Sequence, residues 1–149
     1  GKGARPLSVN PLEVRFSHDS ISCQFKCGFW LDDAIKQILT GTLRPESFPP
    51  MDLVQDGDAL YSLSNRRLFV FRVAASMGAI SEVEGRLLPS DGALVRLSKY
   101  CYRLGRTATK LETAMTTTNG GQSVKVVSSY SAWQAVELSR EESGEEQDA

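Results

Sequence analysis

Arg66 and Arg67 are the residues whose placement most directly implies chemistry. They follow Ser64 and Asn65, either of which suits a helix N-cap, and they open a run that Gly78 can close. Upstream, Tyr61 and Leu63 alternate with polar residues as in a half-buried strand, so the order predicted for 60–78 is strand, tight turn, helix. Cations in a first helical turn oppose the positive end of the helix dipole, at roughly 0.3–1 kcal/mol each. A bound phosphate would relieve this, because free backbone N–H groups and guanidinium forks then converge on one anion. An ion pair with Asp56, Asp58 or a more distant carboxylate would relieve it equally.

A second group of cations lies on the helix predicted from Ala93 to Leu111. Its apolar positions are Leu94, Leu97, Cys101, Leu104, Ala108 and Leu111. Arg96, Lys99, Arg103, Arg106 and Lys110 step by three and four along the other side, with no acid between them, and form a basic stripe. Such a stripe can follow a nucleic-acid backbone, with Tyr100 and Tyr102 near enough to stack on bases, or it can be a solvated helix face. Gly105 is a point where this helix bends or breaks. His18, Cys23 and Cys27 are close in sequence but lack paired CxxC spacing, so they are read as an ordinary histidine and free thiols and not as a metal site. His18 is the only histidine, beside Asp19 in a polar loop, a poor setting for a Ser/His/Asp or Cys/His pair. GxxxxGK[ST], GxSxG, HExxH and GxGxxG are all absent.

These residues must be positioned by a chain of 149 residues, 41% hydrophobic and 23% charged, which is one core's worth of sequence. Leu31, Ala34, Ile35, Ile38 and Leu39 make one apolar face of a helix ending near Gly41. MDLVQ, the turn DGD and ALYSL read as a hairpin, and Ile80–Leu88 as a further strand. The helix after Arg67 is apolar nearly all round and therefore central. Residues 1–12 read as an extended entry segment, Leu12–Phe16 as a strand, and residues 13–138 as a single domain. Thr116–Thr118, Asn119-Gly120-Gly121 and Ser123–Ser128 read as a closing hairpin, with Trp133 and Val136 docking a last turn. The expected class is α/β of the α+β kind, a mixed sheet with packed helices. Within the tail 139–149, residues 141–149 carry five acids and no lysine or arginine, leaving 13 acids with all 17 bases in residues 1–140. That tail is expected to be disordered. Three cysteines, no apolar run of about 18 residues and no signal-type segment in GKGARPLSVN point to an intracellular, reducing compartment and no membrane partner.

The ordered run SFPPMDLVQDGDALYSLSNRRLFVFRVAASMGAISEVEGRLLP resembles the core of the ParB/sulfiredoxin superfamily, with Ser64-Asn65-Arg66-Arg67 at the place of its GxRR or GCHR element. LSVNPLEVRFSHDSI is similar to that family's amino-terminal strand region. RFSHDSI, NRRL and TTTNGGQSVKV together resemble an uncharacterised eukaryotic branch that carries no known reaction. The resemblance implies a phosphate contact at Arg66, Arg67 and the N–H groups near Ser64 and Asn65. It does not imply sulfinic acid reduction, because Asn65 stands where sulfiredoxins have their cysteine, and Ser64 and Asn65 depart from the nucleotide-turnover branches as well.

Two functions follow as expectations. The first is a phosphate-ligand domain for a nucleotide, with Mg as the accompanying ion where one is used, or for DNA or RNA. Arg15 and Ser17 would complete its ligand set from the facing loop, and Asp19 is the one candidate for a base or metal carboxylate, against a plainer role capping the segment DSIS. The second is a non-catalytic interaction or assembly domain with a protein partner. A nucleotide-dependent phosphotransferase or nuclease ranks below both.

Overall fold

The computed structural model describes residues 3–103, 105 and 108–127. Arg5–Val9 (β1), Arg15–Phe16 (β2), Met51–Asp56 (β4), Ala59–Ser62 (β5) and Val83–Leu87 (β6) form one mixed sheet in the order β1-β6-β4-β5-β2. β1 runs antiparallel to β6, β6 parallel to β4, β4 antiparallel to β5, and β5 parallel to β2. Ser20–Ser22 (β3) and Lys125–Val127 (β7) pair in parallel as a separate ribbon. The helices are Leu31–Leu39 (α1), Asn65–Ser76 (α2), Ser90–Arg103 (α3) and the single turn Leu111–Ala114 (α4). The class is α+β, as the alternation of periods implied.

Leu60 and Tyr61, neighbours in β5, join different apolar clusters, as strand alternation requires. On one face α1 and α2 cover Met51, Leu53 and Phe16 with Leu31, Ile38, Leu68 and Phe71. On the other, Leu97 and Cys101 of α3 pack with Ala114, Met115, Tyr61 and Leu63. The helix α2 thus lies against the main core, and α3 closes the opposite side of the same strand pair.

Several elements differ from expectation, each for a local reason. The entry segment supplies β1, which extends the sheet through β6. Leu12–Phe16 is not one strand: Pro11 starts a 3₁₀ turn over Pro11–Glu13, capped by the Asn10 side chain, and only Arg15 and Phe16 pair. The helix after Ser90 ends at Arg103, and Gly105, at φ +74°, marks the break before α4. Thr116–Ser123 is no hairpin arm. Asp19 Oδ1 accepts from Thr118 N at 2.8 Å and Thr118 Oγ1 at 3.1 Å, Gly121 O accepts from Phe16 N at 2.9 Å, and β7 then pairs with β3. Gly121 takes φ +75°, and a Cβ there would fall 2.4 Å from the Phe16 carbonyl oxygen. Trp133, Val136 and the acidic tail lie outside the described residues.

Candidate functional site

The tight β4–β5 hairpin, with Gly57 at φ +62°, brings β5 back so that Leu63 N donates to Asp52 O at 2.8 Å. The chain then turns into α2, whose first helical bond is Leu68 N to Ser64 O at 3.0 Å. The N–H groups of Asn65, Arg66 and Arg67 belong to the first turn, where a helix offers them no carbonyl of its own.

Neither side chain expected to cap the helix does so. Ser64 Oγ accepts from Asp52 N at 3.1 Å, tying the turn to β4. Asn65 is buried, and its amide faces Ser17: Oδ1 accepts from Ser17 N at 3.0 Å and Nδ2 donates to Ser17 Oγ at 2.9 Å. Ser17 Oγ donates onward to Ser62 O at 2.6 Å. Ser17, Ser62 and Asn65 therefore form a closed, buried network joining β2, β5 and α2. It gives Ser17 and Asn65 a structural task within the fold.

The arginine pair is held by carbonyls, and not by Asp56 or Asp58. Arg66 Nη1 donates to Gln24 O at 3.0 Å, and Arg67 Nη1 donates to Pro49 O and Pro50 O at 3.0 and 2.8 Å. Carbonyl dipoles leave the full positive charges uncompensated. Burial, then the charges of Arg66 and Arg86, push the Arg67 guanidinium below the ordinary arginine range.

Arg86 belongs to β6 and faces Asp52 of β4 in register. Its Nε and Nη2 donate to Asp52 Oδ1 at 2.9 and 2.8 Å, while Arg96 of α3 donates from Nη1 to Asp52 Oδ2 and from Nη2 to Leu63 O. One carboxylate, 12% exposed, is thus shared by two half-exposed arginines. Arg66, Arg67, Arg86 and Arg96 form a continuous run of guanidinium groups in which Asp52 is the only carboxylate paired with any of them among the described residues. No known family model, curated protein or solved structure matches the chain. The site must be read from its own geometry.

Sequence reasoning missed Asp52 and Arg86. The available signal was an acid inside the buried run Met51–Val54, which needs a partner at that depth. Arg96, expected on a stripe that either follows a nucleic-acid backbone or is a solvated face, reaches inward to Asp52, and desolvation lowers its pKa. Lys99 is exposed on α3, Lys110 precedes α4 beyond the break, and the Arg103 side chain and Arg106 lie outside the described structure. Arg15 points its guanidinium at Gly120 O, 3.3 Å away. The Asp19 carboxylate accepts from Thr118 of the 116–118 loop and not from the segment DSIS it was expected to cap, and His18 Nδ1 lies 3.1 Å from Thr116 Oγ1. Among the described residues no three His, Cys, Asp or Glu side chains are gathered as a metal site would need, and no helix is long and apolar enough to cross a membrane.

Proposed function

We propose that the domain binds a phosphorylated ligand, a nucleotide or a nucleic-acid backbone, at the arginine cluster around the N-terminus of α2. One observation carries this: of four neighbouring guanidinium groups two share a single carboxylate and two are met by carbonyls, and one of the latter, Arg67, is depressed in pKa by burial and by its own neighbours. A phosphate group there would restore the charge balance, meet the open N–H groups of the first turn and raise the Arg67 pKa toward its ordinary value. The resemblance of Ser64–Arg67 to the ParB/sulfiredoxin element supports the same reading. No reaction is proposed, because Asp19, Ser17 and Asn65 already have structural partners.

Nucleic acid is favoured over a free nucleotide by Tyr102, which is 81% exposed on α3 one turn beyond exposed Lys99. An exposed aromatic beside basic residues is a stacking platform for a single strand. The assembly alternative rests on the exposed apolar side chains Val95 and Met77. The test is calorimetric titration with nucleoside triphosphates and with single-stranded DNA and RNA at two salt concentrations. Binding that weakens steeply with salt supports the backbone reading; the absence of heat with every phosphate ligand overturns the proposal.

A further inference from the structure

An asparagine followed by glycine is the pair in which a main-chain nitrogen reaches the preceding side-chain amide most easily, because glycine has no side chain to hinder the approach. The chain has three asparagines, and only Asn119 precedes a glycine. Asn10 precedes Pro11, whose nitrogen has no hydrogen to give up. Asn65 is buried in the first turn of α2 with its amide bound to Ser17. Asn119 is exposed, Gly120 takes φ +69°, and Gly120 N donates to no acceptor among the described residues. The Asn119 amide, by contrast, is fully engaged. Its Oδ1 accepts from Thr117 Oγ1 at 3.0 Å and from Gln122 N at 3.1 Å, and its Nδ2 donates to Ser123 Oγ at 2.9 Å and to Ser123 O at 3.4 Å. Thr117 Oγ1 in turn accepts from Gly121 N at 2.7 Å. Bringing Asn119 Cγ onto Gly120 N turns the amide away from these partners.

We propose that Asn119 is a deamidation site held closed by this loop, so that its conversion follows local opening and then keeps the loop from closing again. In the open loop Gly120 N bonds to Asn119 Cγ and the Cγ–Nδ2 bond breaks. Nδ2 leaves as ammonia, carrying the proton lost from Gly120 N. Water then opens the cyclic imide at one of its two carbonyls, giving aspartate, or isoaspartate with the main chain rerouted through Cγ. Isoaspartate lengthens the backbone by one carbon immediately before Gly120. The structure leaves no slack there. Gly120 O accepts from Arg15 Nη1 at 3.3 Å, Gly121 O accepts from Phe16 N at 2.9 Å, and a Cβ on Gly121 would fall 2.4 Å from the Phe16 carbonyl oxygen. The isoaspartyl chain therefore loses the contacts that tie the loop to β2 and lead β7 to its place beside β3.

The test incubates the full chain at mildly alkaline pH, folded and in guanidinium chloride, and follows the peptide containing Asn119 for the gain of about 1 Da that deamidation brings. Asp56-Gly57 and Asp91-Gly92 can close the same imide, but they lose and regain water, so their mass does not change. The folded chain should convert at least about tenfold more slowly than the unfolded one. Ser123→Ala, at an exposed position, and Thr117→Val should each raise the folded-state rate about threefold or more and leave the unfolded-state rate unchanged. The isoaspartyl product, separated by anion exchange, should unfold at a Tm at least about 4 °C below that of the unmodified chain. Equal rates in the folded and unfolded chain, unchanged folded-state rates in the variants, or an isoaspartyl product of unaltered Tm would overturn the proposal.

Discussion

Replacing Asp52 with Asn should make the domain less stable and its stability more dependent on anions. The Asp52 carboxylate is 12% exposed, whereas Arg86 and Arg96 are 47% and 42% exposed, so the substitution strands two cations that can still rehydrate. Breaking a fully buried pair costs about 3–5 kcal/mol and an exposed one about 0–1. With the anion buried, its partners half in water and an amide oxygen retained, about 2 kcal/mol is expected. For a domain of this size that is roughly 8 °C in Tm, at about 4 °C per kcal/mol. The same change removes the only carboxylate paired within the arginine run among the described residues, so a phosphate ligand should bind the variant more tightly. A tenfold gain in affinity adds about 1.4 kcal/mol of stabilisation when the ligand is well above Kd. Thermal unfolding with and without pyrophosphate, at matched ionic strength, reads both effects. The variant should lose stability in chloride and regain more than the wild type does on adding pyrophosphate. Equal pyrophosphate shifts in the two proteins, or an unchanged Tm in chloride, would refute the charge accounting.

Asn65→Ala should cost roughly 2–4 kcal/mol in chemical denaturation, because it orphans the buried Ser17 N–H and takes a donor from Ser17 Oγ; a loss below about 0.5 kcal/mol would show that the network is not structural. Gly121→Ala should destabilise by about 2 kcal/mol or more, since the new Cβ meets the Phe16 carbonyl at a left-handed φ, and an unchanged Tm would contradict that packing. Deleting residues 141–149 removes five negative charges that repel a polyanion at long range, so binding to single-stranded nucleic acid should tighten at low salt and converge with the intact chain at high salt. Unchanged low-salt affinity would separate the tail from the site.

What was legible in the sequence was what local periodicity encodes. The apolar face of α1, the two-residue turn between β4 and β5 and the closure of α2 at Gly78 all follow from spacing and turn chemistry, and all are present. The arginine pair was also legible as an oddity. Its setting was not, because the partners are distant: Pro49 and Pro50 for Arg67, and Gln24 for Arg66. The most instructive case is Arg96. Its position on the basic stripe is correct by helical spacing, but a long side chain at the edge of a helix face can turn inward when a buried carboxylate waits across the gap. Similarly, Thr116–Ser123 carries every local sign of a hairpin. The strand it feeds pairs with β3 because Asp19 and Phe16 hold the loop from a hundred residues away. Pairing of that range leaves no local signature.

The measurement that bears most directly on the central claim is a calorimetric comparison of the wild type with Arg66→Gln/Arg67→Gln, titrated with single-stranded RNA, single-stranded DNA and nucleoside triphosphates. Circular dichroism serves as the check that the variant is folded. The account predicts that at least one phosphate ligand binds the wild type and that a folded variant binds it at least about tenfold more weakly. A folded variant that binds as tightly as the wild type would contradict it.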